Sequence, residues 1–309
     1  MNYKILLKVK YLLIFIILNG VKTYAQNSDS SNDSLLLFRG NSNNASHSTA
    51  ANLNRKKGIE FKIFNNLYNQ TKFTDSKGET IDTGNKSSYF TSNAYAYYGS
   101  SSKFNFGFQL NYRAVRIDKT ESSAYELFNF ETTETSRNAL SNFGPSVKLS
   151  ISEKAGLVLQ SILLFPTASD LEGSSSKNLV YLDFQKIQFF NQLFYVKSFS
   201  PKFQLFAEGG FIYRTDKDFN NETSSFTTQF KLIGSYFPVP TLSIYALKEY
   251  ASSIGNSGDF ISSYYTQTGL GTKYQLVKNV EIEFLYTFFP ASMNAGLGET
   301  VNFGLRYSR

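Results

Sequence analysis

The stretch KFNFGFQLNYRAVR, Lys103 to Arg116, alternates without a break. Phe104, Phe106, Phe108, Leu110, Tyr112 and Ala114 share one parity, and Asn105, Gly107, Gln109, Asn111 and Arg113 share the other. A period of two puts one face of a β-strand in an apolar medium and the other in a polar one. The same pattern recurs along the chain from Lys57 onward, while helical i, i+3, i+4 spacing is nearly absent. Strands are expected at about 57–69, 88–98, 103–115, 138–151, 156–166, 181–197, 202–214, 225–237, 241–250, 261–276, 280–289 and 299–308. Most run to about ten residues or more, the length of a tilted membrane strand rather than the five or six of a soluble sheet. Pro145, inside the fourth, predicts a bulge or an early end there.

The connections constrain the chain further. After every second strand comes a short link: GSSS, SEKA, SFSP, PVP and VKN. Between them lie longer polar segments at 70–87, 116–137, 167–180, 215–224, 251–260 and 290–298. Short and long links that alternate around an even strand count predict an all-β fold, a transmembrane antiparallel up-and-down β-barrel of about 12 strands. Its apolar face then meets lipid. The 30 Phe and 21 Tyr, with no Trp, suit that reading. Phe104, Phe165, Tyr236, Phe289 and Tyr307 are expected in the interfacial girdles.

The chain opens MNYKILLKVKYLLIFIILNGVKTYAQ, with lysines at 4, 8 and 10, an apolar run from Tyr11 to Leu18, and Thr-Tyr-Ala at 23–25. That is the form of a cleaved signal peptide over residues 1–25. Residues 26–56 are Ser/Asn-rich and aperiodic, a mostly disordered periplasmic lead-in whose LLLF at 35–38 could dock on or enter the barrel. The barrel domain is assigned to 57–309. Of 31 Lys+Arg against 24 Asp+Glu, the leader holds four Lys and no acid, so 27 against 24 remain and nothing points to nucleic acid. No cysteine is present, which excludes disulfides and thiolate metal sites.

The stretches KIFNNLYNQT (62–71), SNFGPSVKLSI (141–151) and KFQLFAEGGFIY (202–213) resemble transporter-like outer-membrane barrels of the Bacteroidota. The resemblance covers about residues 57–309. It implies the outer membrane of a Gram-negative bacterium, contact with its lipid and lipopolysaccharide, help from the barrel-assembly machinery during biogenesis, and possible partners in an outer-membrane complex. In such families the last strand commonly ends in an aromatic residue; here Ser308 and Arg309 follow Tyr307.

Enzymatic barrels resemble one another in using His as a general base or proton shuttle at the rim. The single histidine, His47, lies in the polar lead-in, and no paired acid motif stands out, so no catalytic residue, cofactor or metal ligand is expected. GLGET at 296–300 lacks the lysine and helix of a phosphate loop. The acids of loop 116–137, Asp118, Glu121, Glu126, Glu131 and Glu134, lack calcium-loop spacing. The lumen carries what chemistry there is. Projecting the polar parity inward gives Lys62, Arg113, Lys148, Lys231, Lys273 and Arg306 against Glu60, Glu208, Glu281 and Glu283. Charges there must be wet or mutually paired. Two functions follow: a passive pore for small hydrophilic solutes with a mild anion preference, in which Arg113 and Lys148 form a positive constriction, or a structural subunit of a larger outer-membrane complex.

Overall fold

The computed structural model describes residues 51, 53–118, 132–173, 179–215, 224–254 and 261–309. Twelve strands make up its frame. They are β1 (Ile59–Thr74), β2 (Thr80–Gly99), β3 (Phe104–Asp118), β4 (Ser136–Ser152), β5 (Leu157–Pro166), β6 (Ile187–Ser200), β7 (Phe203–Thr215), β8 (Ser225–Val239), β9 (Leu242–Ile254), β10 (Ser263–Val277), β11 (Val280–Met293) and β12 (Ala295–Ser308). Each pairs antiparallel with its sequence neighbours, and β1 also pairs with β12, Phe61 opposite Tyr307, so the sheet closes on itself. Closure removes the edges, and every strand backbone finds its partners inside the sheet.

The two parities separate as the alternation predicts. In β3, Phe106 and Phe108 stand on the exposed outer wall, while Asn105, Gln109 and Asn111 are buried inside. The outer wall continues around the barrel through Phe61, Leu140, Phe143, Phe230, Ile244, Leu270, Phe284 and Phe303, all exposed. A contiguous apolar band of this kind is stable only against hydrocarbon. Aromatic pairs mark its two borders. At the short-turn end Tyr98 meets Phe106 at 5.5 Å and Phe203 meets Tyr236 at 5.0 Å between ring centroids. Towards the long-loop end Phe211 stacks on Phe226 at 5.2 Å and Tyr250 on Tyr264 at 6.1 Å. Phe289, expected in a girdle, points inward instead and packs edge-on against Tyr68 and Tyr265. It sits on the opposite parity from Tyr286 and Phe288.

Several strand limits differ from the sequence reading, most of all at the long-loop end. Segment 70–87 is not a loop: β1 and β2 continue past a bulge near Thr71 and close at Asp75–Glu79. There the Asp75 carboxylate accepts from the Lys77 and Glu79 amides and Gly78 takes φ +82°. Segment 290–298 is likewise a hairpin, turned at Asn294 with φ +49°. Past the hydrocarbon both faces of a strand are wet, so the apolar–polar alternation disappears although the ladder goes on. The sixth strand begins at Ile187 rather than 181, because 179–186 belong to an inward-folded loop. The expected irregularity in β4 falls at Ser141, not Pro145: Asn111 pairs with Asn142 but Tyr112 with Leu140. The extra residue turns Ser141 and Asn142 both inward, each fully buried. The signal peptide, the lead-in through residue 50 with its LLLF patch and His47, and the loop acids Glu121, Glu126 and Glu131 lie outside the described residues.

Candidate functional site

Polar side chains line much of the interior, and the charged ones described fall into three layers. Nearest the short-turn end, the Glu60 carboxylate accepts from Arg306 Nε at 2.6 Å and lies 3.6 Å from Lys148 Nζ. Lys148 also sits over the Tyr97 ring, 4.3 Å from its centroid, and the Tyr97 hydroxyl shares a 2.5 Å hydrogen bond with Ser146. Beside this group Lys273 Nζ lies 3.6 Å from Glu283, which also accepts from the Tyr245 hydroxyl at 2.6 Å. Lys62, Glu281, Glu283 and Arg306 line one small recess here, with Lys62 Nζ 5.5 Å from the Phe64 ring. This layer is dry: the side chains of Glu60, Lys148 and Arg306 are 2, 3 and 9 % exposed.

The second layer lies midway along the strands. Lys231 Nζ stands 3.0 Å from Glu249 and 3.6 Å from Glu208. Glu208 also accepts from Gln192 and Gln229, and Glu249 from the Tyr265 hydroxyl at 3.0 Å. The carboxylates are buried, yet the Lys231 side chain is 25 % exposed. Water therefore reaches this height from inside the barrel.

The third layer is built by the β5–β6 loop, which folds into the long-loop mouth. Leu171 and Leu182 pack on Val115 of the β3 inner wall, with Tyr89, Ile117 and Ala139 around them. Arg137 Nη1 donates to the carbonyls of Asp170 and Val180, and Gln185 bridges the Leu171 amide and the Ala168 carbonyl. So held, the Asp183 carboxylate accepts from Arg113 Nε at 3.3 Å and Asn142 Nδ2 at 2.8 Å. The next residue, Phe184, carries the guanidinium of Arg214 over its ring at 4.4 Å. The Arg113 side chain remains 37 % exposed.

The short-turn mouth is crossed by the segment before β1. Ala51 is buried against Val158, Phe194 and Phe206, inward side chains of β5, β6 and β7, with Leu53 beside it. Asn54 reaches β2 and β3. Its Nδ2 approaches the Tyr97 carbonyl, and the Asn105 amide donates to its carbonyl at 3.2 Å and accepts from its N–H at 2.6 Å. Lys57 then donates to the Gly99 carbonyl and the chain enters β1. A turn closed by the Gly58 amide on the Arg55 carbonyl, with Lys57 at φ +66°, leads the chain from this mouth into the barrel wall.

The structure thus brings Lys148 and Arg306 together on one carboxylate and pairs Lys231 with Glu208 and Lys273 with Glu283. It does not bring Arg113 to Lys148: the first meets Asp183 and the second Glu60, so the positive constriction expected from sequence does not form. Asp183, Glu249, Asn142 and Arg214 were not foreseen. Glu249 could have been found, since Ile244, Ala246 and Tyr250 mark the outer parity of β9. It was hidden by Leu247 on the inner face and Lys248 on the outer, which reverse the local hydropathy. No group of three or more His, Asp or Glu among the described residues is placed to hold a metal ion.

No protein-family model matches the sequence, and no curated protein matches it either. Solved structures do match in shape. An outer-membrane channel from Pseudomonas putida F1 superposes with a TM-score of 0.59 at 12 % identity, covering 82 % of this chain and 95 % of the channel. The β domain of a Bordetella autotransporter superposes with a TM-score of 0.52 at 11 % identity, covering 82 % and 100 %. The fold is that of an outer-membrane β-barrel. At these identities the likeness concerns architecture alone, and the barrel's contents must be read from its own side chains.

Proposed function

We propose that this barrel resides in the outer membrane of a Gram-negative bacterium and admits small hydrophilic solutes passively. The long loops face outward and the short turns face the periplasm, the usual orientation of such barrels. The apolar outer band and its aromatic borders support the location, as does the resemblance to Bacteroidota transporter-like barrels. One observation carries the pore reading: the side chains of Arg113, near the long-loop mouth, and Lys231, at mid-height, face inward and stay 37 and 25 % exposed, which leaves water-sized space beside each of them. A side-chain-filled barrel has no such space at its centre.

A second reading, a structural subunit of an outer-membrane complex, draws on the opposite end. The Glu60–Lys148–Arg306 layer is dry, and Ala51, Leu53 and Asn54 pack into the mouth beneath it. Planar-bilayer recording separates the two. The folded full chain, and a variant lacking residues 26–56, are inserted and compared. Discrete conductance steps that grow on truncation support a pore closed from the periplasmic side. Electrical silence of both, with heat-modifiable mobility intact, assigns the barrel to the structural role.

A further inference from the structure

The Asp183 carboxylate occupies its place in the vestibule in the manner of a bound solute. It arrives on a loop, not on the wall. Its two side-chain hydrogen-bond donors, Arg113 Nε and Asn142 Nδ2, both belong to the wall, and Asn142 faces inward on the same parity as Lys148 and Ser146. The contact to Arg113 is a single one at 3.3 Å, not a fork. A guanidinium carries five N–H donors, of which Nε is used here and Nη1 donates to Thr91. The same side chain is 37 % exposed to the lumen. A second cation, Arg214, stands within electrostatic range of both Arg113 and Asp183. It is held by Gln188 and Thr227 and stacked on Phe184, the loop residue next to the carboxylate.

We propose that Arg113, Asn142 and Arg214 form a binding site for the carboxylate of a small acidic solute, and that Asp183 is its built-in competitor. A solute carboxylate entering the vestibule engages Arg113 with two oxygens, the geometry that a guanidinium fork favours. Asp183 is then released, and with it the stack of Arg214 on Phe184. The loop shifts away from the wall because the solute binds only the displaced arrangement, and the shift is bounded by that difference in affinity. This inference rests on the pore reading for its biological use, but the site itself is tested without any current.

Calorimetric titration of the refolded full chain in detergent, with glucuronate, acetate, inorganic phosphate and neutral glucose as probes, decides it. Asp183→Asn removes the competing charge and should tighten glucuronate binding at least tenfold. Arg113→Ala should weaken it at least tenfold, in the wild type and in the Asp183→Asn background alike. Leu182→Ala leaves every charge in place but loosens the loop, and should also tighten binding. Unchanged affinity in both loop variants, glucose binding as well as glucuronate, or phosphate binding better than either carboxylate would overturn the assignment. Binding by a barrel that is silent in bilayers would keep the site and remove the pore.

Discussion

Glu60 is the most exacting single residue of the interior. Its carboxylate serves two cations in a layer that holds almost no water, so neither Arg306 nor Lys148 has another described acid at salt-bridge distance. Removing one partner of a buried ionic group strands the others, at a cost of about 3–5 kcal/mol. Glu60→Gln should therefore lower barrel stability by that order, read as an earlier midpoint in urea unfolding from detergent micelles. Lys231→Met should cost much less, because its carboxylates already accept from Gln192, Gln229 and Tyr265 and the site admits water. Equal losses in the two variants would show that the layers do not differ in hydration. The sequence placed Glu60, Lys148 and Arg306 on the inner parity, but their meeting depends on register. Glu60 stands opposite Ser308 across the closing seam, so Arg306 reaches it diagonally, and Lys148 comes from β4. No local pattern specifies a contact between residues separated by most of the chain.

At the scale of elements, the segment before β1 and the β5–β6 loop are held in the two mouths by different means. The first is held at its β1–β3 side largely by backbone. An ideal Cβ built on Gly99 would lie 2.2 Å from the Arg55 carbonyl oxygen, so only glycine lets the segment pass this close. Gly99→Val should displace it without altering the barrel wall. Trypsin added to the folded protein should then cut at Arg55, Lys56 or Lys57 at least several-fold faster, with bilayer conductance rising in parallel. Resistance equal to the wild type would mean that Ala51 and Leu53 alone hold the segment in the mouth. These elements were the least legible parts of the chain. A Ser/Asn-rich lead-in carries no periodicity to reveal that its last residues pack on Phe194 and Phe206. The inner-wall apolar patch that receives them reads in sequence as noise in the alternation. Likewise Leu171 falls in a segment read as a loop and Leu182 in one read as the start of the sixth strand, because their partners are the interior wall.

The whole molecule was far more legible, because a closed sheet in a bilayer imposes one rule on every strand: apolar outward, polar inward. The rule holds best where hydrocarbon is thickest, which is why Phe104–Asp118 could be read directly while the ends of β1, β2, β11 and β12 could not. Leu205 lies only two residues into β7 beside Phe203 and belongs to the short-turn border. Leu270 is the better probe of the middle. It sits halfway along β10, is 68 % exposed on the outer wall, and pairs with Ala246 and Tyr286. Leu270→Arg should cost about 2–4 kcal/mol of folding stability in a bilayer, since no wall residue can pair the charge at the midplane. Leu205→Arg, near the headgroups, should cost about 0–1 kcal/mol by the same depth dependence. Folding titrations into phospholipid vesicles measure both. A gradient between the two places the hydrocarbon band where the aromatic borders draw it; equal penalties would shift that band towards the short turns and make the dry Glu60 layer its centre.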